Sequence, residues 1–179
     1  MSLEVDVRGR GAGKTYNALT SAIKTAQDDA YHSYKARENT EDVSRHTARV
    51  LYVTTTGQEV DDFEILKIVS DYCKQKRSVV YIVEKAASVI RVIDRETEVI
   101  VHVEHFKQNL MSRVRGWKFN AMVQDGEFLP DLLETLNVGS TRGFFVADYV
   151  PHSLLDWMKD AADVRMSATV GVLPWHTRL

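Results

Sequence analysis

Near its N-terminus the chain reads Arg8-Gly9-Arg10-Gly11-Ala12-Gly13-Lys14-Thr15, between a strand-like run at 3–7 and a helical pattern. Strand, glycine-rich turn and helix in this order form the context of a phosphate-binding loop, whose usual pattern is G-x-x-x-x-G-K-[ST]. Arg8 stands where that pattern has its first glycine, and the other positions match. We therefore predict that this loop binds the phosphates of a nucleotide. A glycine-rich turn that caps an ordinary helix is the alternative.

The residue types of this loop suit an anion. Glycines let the backbone turn its N–H groups inward, and the helix that begins near Lys14 directs its positive end at the same place. The Lys14 ammonium can reach the outer phosphates, and the Thr15 hydroxyl can hold Mg²⁺. The residues expected to contact the nucleotide are Gly9, Arg10, Gly11, Ala12, Gly13, Lys14, Thr15 and Tyr16.

The composition is that of an ordinary globular protein. The chain has 179 residues, 44% hydrophobic and 27% charged, which suits one domain with a substantial core. The formal net charge of −2 does not indicate nucleic-acid binding, so a contact with DNA requires a local basic patch. Cys73 is the only cysteine, which excludes an intrachain disulfide. We see neither a signal peptide nor a membrane-spanning run, and expect a cytoplasmic protein with no membrane partner.

Strand-like and helical patterns alternate along the chain. Apolar or β-branched runs occur at 3–7, 50–55, 79–83, 98–103, 119–123, 144–147 and 164–166. Helical patterns occur at about 14–30, 61–76, 85–93, 128–136 and 153–162. Such alternation is typical of a three-layer α/β fold with a central, mostly parallel sheet flanked by helices. We predict a P-loop NTPase fold in which the loop strand lies next to, or one strand away from, the strand ending at Asp125.

Residues 31–49 are polar, mixed in charge and free of Gly and Pro. We interpret them as a frayed extension of the first helix, within a single ATPase domain that spans 1–179. A mobile insertion is the alternative. Basic and acidic residues alternate in this segment, which favours a solvated surface over a contact with DNA.

Nucleotide hydrolysis needs a carboxylate near the metal and a base that positions water. The run 119–125 is an apolar strand that ends in an acid, so Asp125 is the predicted metal-side carboxylate, and Glu127 is the candidate that orients the attacking water. Gly126 occupies the position directly after Asp125, where the base usually stands. Because neighbouring side chains on a strand point to opposite faces, two outcomes stay open. Either the backbone bulges at Gly126 and returns Glu127 to the site, or hydrolysis is weak.

Two further strand ends carry groups that can sense a terminal phosphate. One is Asp148 with Tyr149, and the other is Ser167 with Thr169. Parallel strands finish at the edge where open α/β sheets bind their ligands. Helix capping is the alternative for each of these strand ends.

The loop resembles the variant phosphate loop of the large terminase subunits, the ATPases that pump DNA into viral capsids. In that family an Arg commonly stands three residues before the last Gly of the loop, and Arg10 matches that position. The resemblance implies that Arg10 contacts the γ-phosphate from within the subunit. With Lys14 and Glu127, Arg10 completes the expected catalytic set, and ATP and Mg²⁺ are the expected cofactors.

Later segments also resemble the terminases and the related superfamily-two helicases. Residues 49–56 are similar to the strand after the first helix, and 114–119 to the segment before the acidic strand. Residues 167–169 resemble the coupling tripeptide of these motors, although residues 147–149 are closer in spacing to the acidic strand. The resemblance implies ATP hydrolysis coupled to translocation of double-stranded DNA, in the host cytoplasm. It implies a homo-oligomeric ring, or a partner nuclease or portal protein. Terminases continue into a nuclease domain, and we expect none within 1–179.

One stretch of the chain is a candidate for the DNA contact. It is the most basic stretch and contains Lys107, Arg113, Arg115 and Lys118. Clustered cations of this kind can meet a phosphate backbone.

Two other functions share the loop. A small nucleotide kinase also carries it, but such kinases usually have an Arg-rich lid in the last third, where this chain has mainly Arg142 and Arg165. The other is a helicase-like or catalytically weakened ATP-binding structural component that lost turnover through Gly126. Phosphate transfer to a nucleoside monophosphate would indicate the kinase, and tight binding without phosphate release would indicate the structural component.

Overall fold

The computed structural model describes residues 2–8, 13–36, 46–54, 62–76, 79–84, 89–106, 110–114, 117–132, 142–159 and 164–168. The strands are β1 Ser2–Val7, β2 His46–Thr54, β3 Val79–Glu84, β4 Val89–Asp94, β5 Thr97–His105, β6 Ala121–Asp125, β7 Arg142–Val146 and β8 Val164–Ala168. The helices are α1 Lys14–Ala36, α2 Asp62–Gln75, α3 Leu110–Val114 and α4 His152–Met158. Residues 130–132 form one more helical turn.

The strands form one sheet in the order β3-β4-β5-β2-β6-β7-β1-β8. The six strands from β5 to β8 in this order are parallel, whereas β4 pairs antiparallel with both β3 and β5. The predicted α/β fold with a mostly parallel sheet is confirmed. The loop strand β1 is separated from β6, which ends at Asp125, by β7 alone, so the predicted spacing of one strand is also confirmed.

Helix α1 owes its length to a stripe of small and apolar side chains at helical spacing. These residues are 7% exposed or less, and they are Ala18, Leu19, Ala22, Ile23, Ala26 and Ala30. The stripe lies against β2, β5, β6 and β7. Burial of such a stripe, more than intrinsic propensity, stabilises a helix in a protein.

Helices cover both faces of the sheet. One core, the α1-side core, contains residues of α1 and α2 with the strand residues Ala48, Val50, Tyr52, Val99, Val101, Ala121 and Val123. The other contains residues of α3 and α4 with the strand residues Leu3, Val5, Val7, Leu51, Val53, Met122 and Phe145. Residues on alternate positions of β2 and β6 therefore belong to opposite cores, as the period of two in a strand requires.

One prediction about an element was wrong, and the structure agrees with another only in part. The pattern at 85–93 was predicted as a helix, but residues 89–94 form β4, in which Ile90 and Val92 are buried and the hairpin partner is β5. In the segment 31–49, residues 31–36 continue α1, as the interpretation as a helical extension predicts, whereas residues 46–49 belong to β2. Residues 37–45 of that segment lie outside the described part of the chain.

None of the helices in the described ranges combines the length and the hydropathy needed to span a bilayer.

Candidate functional site

The N-terminus of α1 lies at the carboxyl edge of the parallel strands. Gly13 has φ +72°, and its carbonyl oxygen accepts the first helical hydrogen bond from the N–H of Asn17 at 2.9 Å. No heavy atom lies within 4 Å of a Cβ built on Gly13, so backbone conformation and not space requires glycine here. The helix therefore begins directly at Lys14, and the N–H groups of its first turn, which have no acceptor within the helix, form its positive end.

The Lys14 ammonium group lies within the site. Its Nζ donates to the carbonyl oxygen of Arg8 at 2.6 Å and to Oδ1 of Asp148 at 2.7 Å. The Lys14 side chain is 10% exposed and that of Asp148 is 42% exposed. Asp148 reaches this position because Ala147, which precedes it, donates its N–H to the carbonyl oxygen of Asp6 in β1.

Arg8 is bound to the strand that precedes it. Its side chain donates to both carboxylate oxygens of Asp6, at 2.9 and 2.6 Å, and its N–H lies 3.2 Å from Asp6 Oδ1. Burial raises the pKa of Asp6. The hydrogen bonds from Arg8 and the charges of Arg8 and Lys14 lower it by a larger amount, so the net pKa shift is downward. The residue in place of the usual first glycine thus forms an ion pair at the end of β1.

Thr15 and Asp125 are in contact. The Thr15 Oγ1 donates to Oδ2 of Asp125 at 3.2 Å, across 110 positions of sequence. Asp125 stands at an alternate position of β6 with Ala121 and Val123, so its side chain points to the same face of the sheet as theirs, towards the α1-side core. This face of the sheet meets the first turn of α1. The structure thus brings together the two residues that the sequence predicted as metal ligands.

Tyr52 was missed by the sequence analysis. Its hydroxyl donates to the same oxygen of Asp125, Oδ2, at 2.6 Å, and the side chain is 2% exposed. Burial, followed by the charge of Asp125 and the hydrogen bond to it, raises the pKa of Tyr52 far above its ordinary range. The phenol therefore stays protonated and remains a donor. The only signal in the sequence was a polar-tipped aromatic residue in an otherwise apolar strand.

Gly126 ends β6 with a backbone turn that favours glycine. Its φ is +120°, and its N–H still donates to the carbonyl oxygen of Val146 in β7 at 2.9 Å. Glu127 follows and is exposed. Since the strand is broken between Asp125 and Glu127, simple alternation no longer determines which way Glu127 faces.

Other predicted site residues are placed as follows. Gly9, Arg10, Gly11, Ala12 and Thr169 lie outside the described residues, as does the side chain of Ser167. Tyr16 packs partly buried against the α1-side core, and its hydroxyl accepts a 3.3 Å hydrogen bond from Gln75 in α2. Of the basic stretch, the side chain of Lys118 is described and is exposed.

The donor set suits Mg²⁺. Throughout the described ranges, no three His, Cys, Asp or Glu side chains form a metal cluster. Mg²⁺ does not need one, because it is usually held by one or two oxygen ligands of the protein together with substrate phosphates and water. The Thr15 hydroxyl and the Asp125 carboxylate supply such oxygens, beside a lysine and a helix N-terminus that suit the phosphates.

No family model and no curated protein matches the chain in sequence. Solved structures do match. The large terminase of the thermophilic bacteriophage D6E aligns with a TM-score of 0.62 and 10% identity, over 93% of this chain and 40% of that one. The chain has the fold of a large terminase ATPase domain. The ATPase domain of the Thermus phage P74-26 large terminase aligns with a TM-score of 0.57 and 9% identity, over 93% of this chain and 74% of that domain.

The terminase-like fold extends over nearly the whole chain, which itself spans about two fifths of the D6E terminase. The D6E protein was also solved in complex with ATP-γ-S, and that structure aligns with a TM-score of 0.60 and 10% identity, over 93% of this chain and 38% of that one. At these identities the likeness shows the shared fold, and the chemistry of the site rests on the side chains described above.

Proposed function

We propose that this protein is a Mg²⁺-dependent ATPase that serves as the motor of DNA packaging. The observation that carries the proposal is the convergence of Lys14, Thr15 and Asp125 at the carboxyl edge of a terminase-like sheet. These residues come from two elements. They supply the three groups that a site for a nucleoside triphosphate requires: a cation, a metal-binding hydroxyl and a carboxylate.

Each residue has a definite task in this proposal. Lys14 and the N–H groups at the start of α1 bind the β- and γ-phosphates, and Thr15 and Asp125 hold Mg²⁺, which neutralises phosphate charge when bound. Arg10 stabilises the charge that develops on the transferred phosphoryl group. Glu127 orients the attacking water. Asp148, which follows the end of β7, responds to the terminal phosphate.

The likeness to known terminases supports the ligand. The D6E large terminase has been solved in complex with ADP and with ATP-γ-S, in structures whose alignment covers 92–93% of this chain. We propose ATP as the nucleotide and double-stranded DNA as the translocated substrate. We further propose that the chain works in a homo-oligomeric ring or with a nuclease or portal protein.

The first experiment tests nucleotide binding. A ligand at 100 times its Kd stabilises a folded protein by about 2.7 kcal/mol, which a thermal unfolding scan resolves. Saturating Mg²⁺–ATP should raise the Tm of the wild-type chain and leave that of Lys14→Ala unchanged. Lys24→Ala removes an exposed lysine further along the same helix and should keep the full shift. An equal shift in Lys14→Ala would reject the loop assignment.

The second experiment tests the motor. Phosphate release is measured with and without double-stranded DNA, on the chain alone and with candidate nuclease or portal proteins. DNA-stimulated release supports the proposal. Absence of release under every condition, together with tight ATP binding, would instead indicate a structural ATP-binding component.

The kinase alternative is disfavoured by the position of Arg142. It is the first residue of β7, and parallel strands begin at the edge of the sheet opposite to the one where the loop lies. An Arg at that edge is badly placed to close over a phosphate donor. Transfer of phosphate to a nucleoside monophosphate in preference to water would overturn this view.

A further inference from the structure

Tyr52 places a buried hydroxyl at the metal side of the proposed site. It lies in the middle of β2, is 2% exposed, and donates to Oδ2 of Asp125 at 2.6 Å. Asp125 Oδ2 also accepts from Thr15, so three side chains from β2, β6 and α1 meet at one oxygen atom. The proposed roles of the loop and of Asp125 do not by themselves require this tyrosine.

The register of the sheet explains why Tyr52 reaches Asp125. In the parallel pair of β2 and β6, Thr54 lies beside Asp125 and Tyr52 lies beside Val123. Tyr52, Val123 and Asp125 therefore share the sheet face that α1 covers. The long phenol side chain reaches from the level of Val123 to the carboxylate two residues further along β6.

A strand-end carboxylate without such a partner can rotate. Mg²⁺ tolerates little deviation from octahedral geometry, so a rotating carboxylate holds it less well. A hydrogen bond from a buried phenol to an ionised carboxylate is short and charge-assisted, and water does not compete for a donor that is almost fully buried. Since Tyr52 occupies one side of Oδ2, it limits the rotation of Asp125.

We propose that Tyr52 is a positioning residue that holds the Asp125 carboxylate in the orientation required for Mg²⁺ bound with a nucleotide. The inference rests on the proposed function, since it assumes that Asp125 is a metal ligand. Tyr52 acts through Asp125 and has no contact of its own with the phosphates. Partners of metal ligands of this kind typically change metal affinity by about 10–100-fold when they are removed.

The test is Tyr52→Phe, which keeps the buried ring and removes only the hydroxyl. Its matched control is Tyr72→Phe. Tyr72 is 6% exposed, and its hydroxyl donates to Oε1 of Gln27, in the middle of α1 and thirteen positions beyond Lys14, at 2.5 Å. Binding of ATP-γ-S is measured by calorimetry over a series of MgCl₂ concentrations and in EDTA, and folding of each variant is verified by its Tm without nucleotide.

We expect the half-saturating Mg²⁺ concentration to rise about tenfold in Tyr52→Phe and to be unchanged in Tyr72→Phe. Affinity for ATP-γ-S in EDTA should be unchanged in both variants. In an Asp125→Ala background, Tyr52→Phe should alter the Mg²⁺ dependence no further, because the tyrosine acts through that carboxylate.

Two results would overturn the inference alone while nucleotide binding stands. One is a wild-type Mg²⁺ dependence in Tyr52→Phe. The other is an equal loss of ATP-γ-S affinity with and without Mg²⁺, which would indicate a general structural role. A wild-type chain that binds no nucleotide at all would instead overturn the proposed function, and the inference with it.

Discussion

The Lys14 ammonium and the Asp148 carboxylate form an ion pair, with Nζ 2.7 Å from Oδ1. The lysine that we expect to bind phosphates thus already has an anionic partner, at the end of the strand adjacent to the loop strand. A triphosphate that binds Lys14 must compete with this carboxylate and approach its negative charge. Asp148 is therefore placed to report whether the lysine is occupied by phosphate.

Asp148→Asn should bind ATP more tightly than the wild-type chain. The substitution removes the competing charge, and since Asp148 is 42% exposed, we expect a gain of up to about 1 kcal/mol, or about fivefold in Kd. Titration with a fluorescent ATP analogue measures the change. Asp156→Asn is the control of equal charge, because Asp156 in α4 forms an exposed ion pair with Lys159, the residue directly after the helix. Weaker binding in Asp148→Asn would show that the carboxylate helps to hold the ligand.

Glu127→Gln tests the proposed base. We expect ATP affinity to stay within about threefold of wild type, and turnover to fall by about 10²–10⁴, the usual contribution of a positioned acid or base. Single-turnover phosphate release checks this. Glu96→Gln, in the exposed turn between β4 and β5, should have normal turnover. Normal turnover in Glu127→Gln would remove Glu127 from the catalytic set and direct attention to another residue near Gly126.

Arg10→Ala should reduce the rate of hydrolysis far more than the affinity. Arginines that stabilise the transferred phosphoryl group contribute about 10³–10⁵ to turnover, so we expect at least a 10³-fold loss and a change in Kd below about tenfold. Steady-state hydrolysis and calorimetric binding give the two numbers. Arg142→Ala, at the opposite edge of the sheet, is the control. Equal losses in rate and affinity would make Arg10 an ordinary phosphate ligand.

The environment of His102, a residue of β5 outside the proposed nucleotide site, predicts that the stability of the fold depends on pH. Its Nε2 lies 3.0 Å from Nη1 of Arg49, which can only donate, so the imidazole is neutral in the folded protein. Burial, and then the charge of Arg49, lowers the pKa of His102 to about 4. The unfolded chain, with a histidine pKa of about 6.5, binds the proton first as the pH falls, and stability is therefore lost below about pH 6.5.

His102→Gln removes this contribution while keeping an acceptor for Arg49. Between pH 7 and pH 5, the wild-type free energy of unfolding should fall by about 2 kcal/mol more than that of the variant. Urea unfolding at the two pH values measures the difference. His32→Gln, at an exposed position of α1, should follow the wild-type curve. An identical pH dependence in His102→Gln and wild type would contradict the assignment.

Local patterns were sufficient where one element determines the outcome. The positive φ of Gly13, the helix after it and the apolar strand ending at Asp125 are properties of short segments, and the structure has each of these three in place. The pattern at 85–93 misled because its apolar spacing is compatible with a helix. Its β-branched run was the better indicator, and pairing with β5 makes it a strand.

The sequence by itself determined the alternation of strands and helices, the helix that begins at Lys14 and the strand that ends at Asp125, because these depend on backbone propensity and periodicity within a few residues. The tertiary structure alone decided that Lys14 meets Asp148 and that Tyr52 and Thr15 share one oxygen of Asp125. Those contacts join positions 73 to 134 residues apart. They depend on the order and register of the strands, which long-range burial selects and which no local pattern encodes.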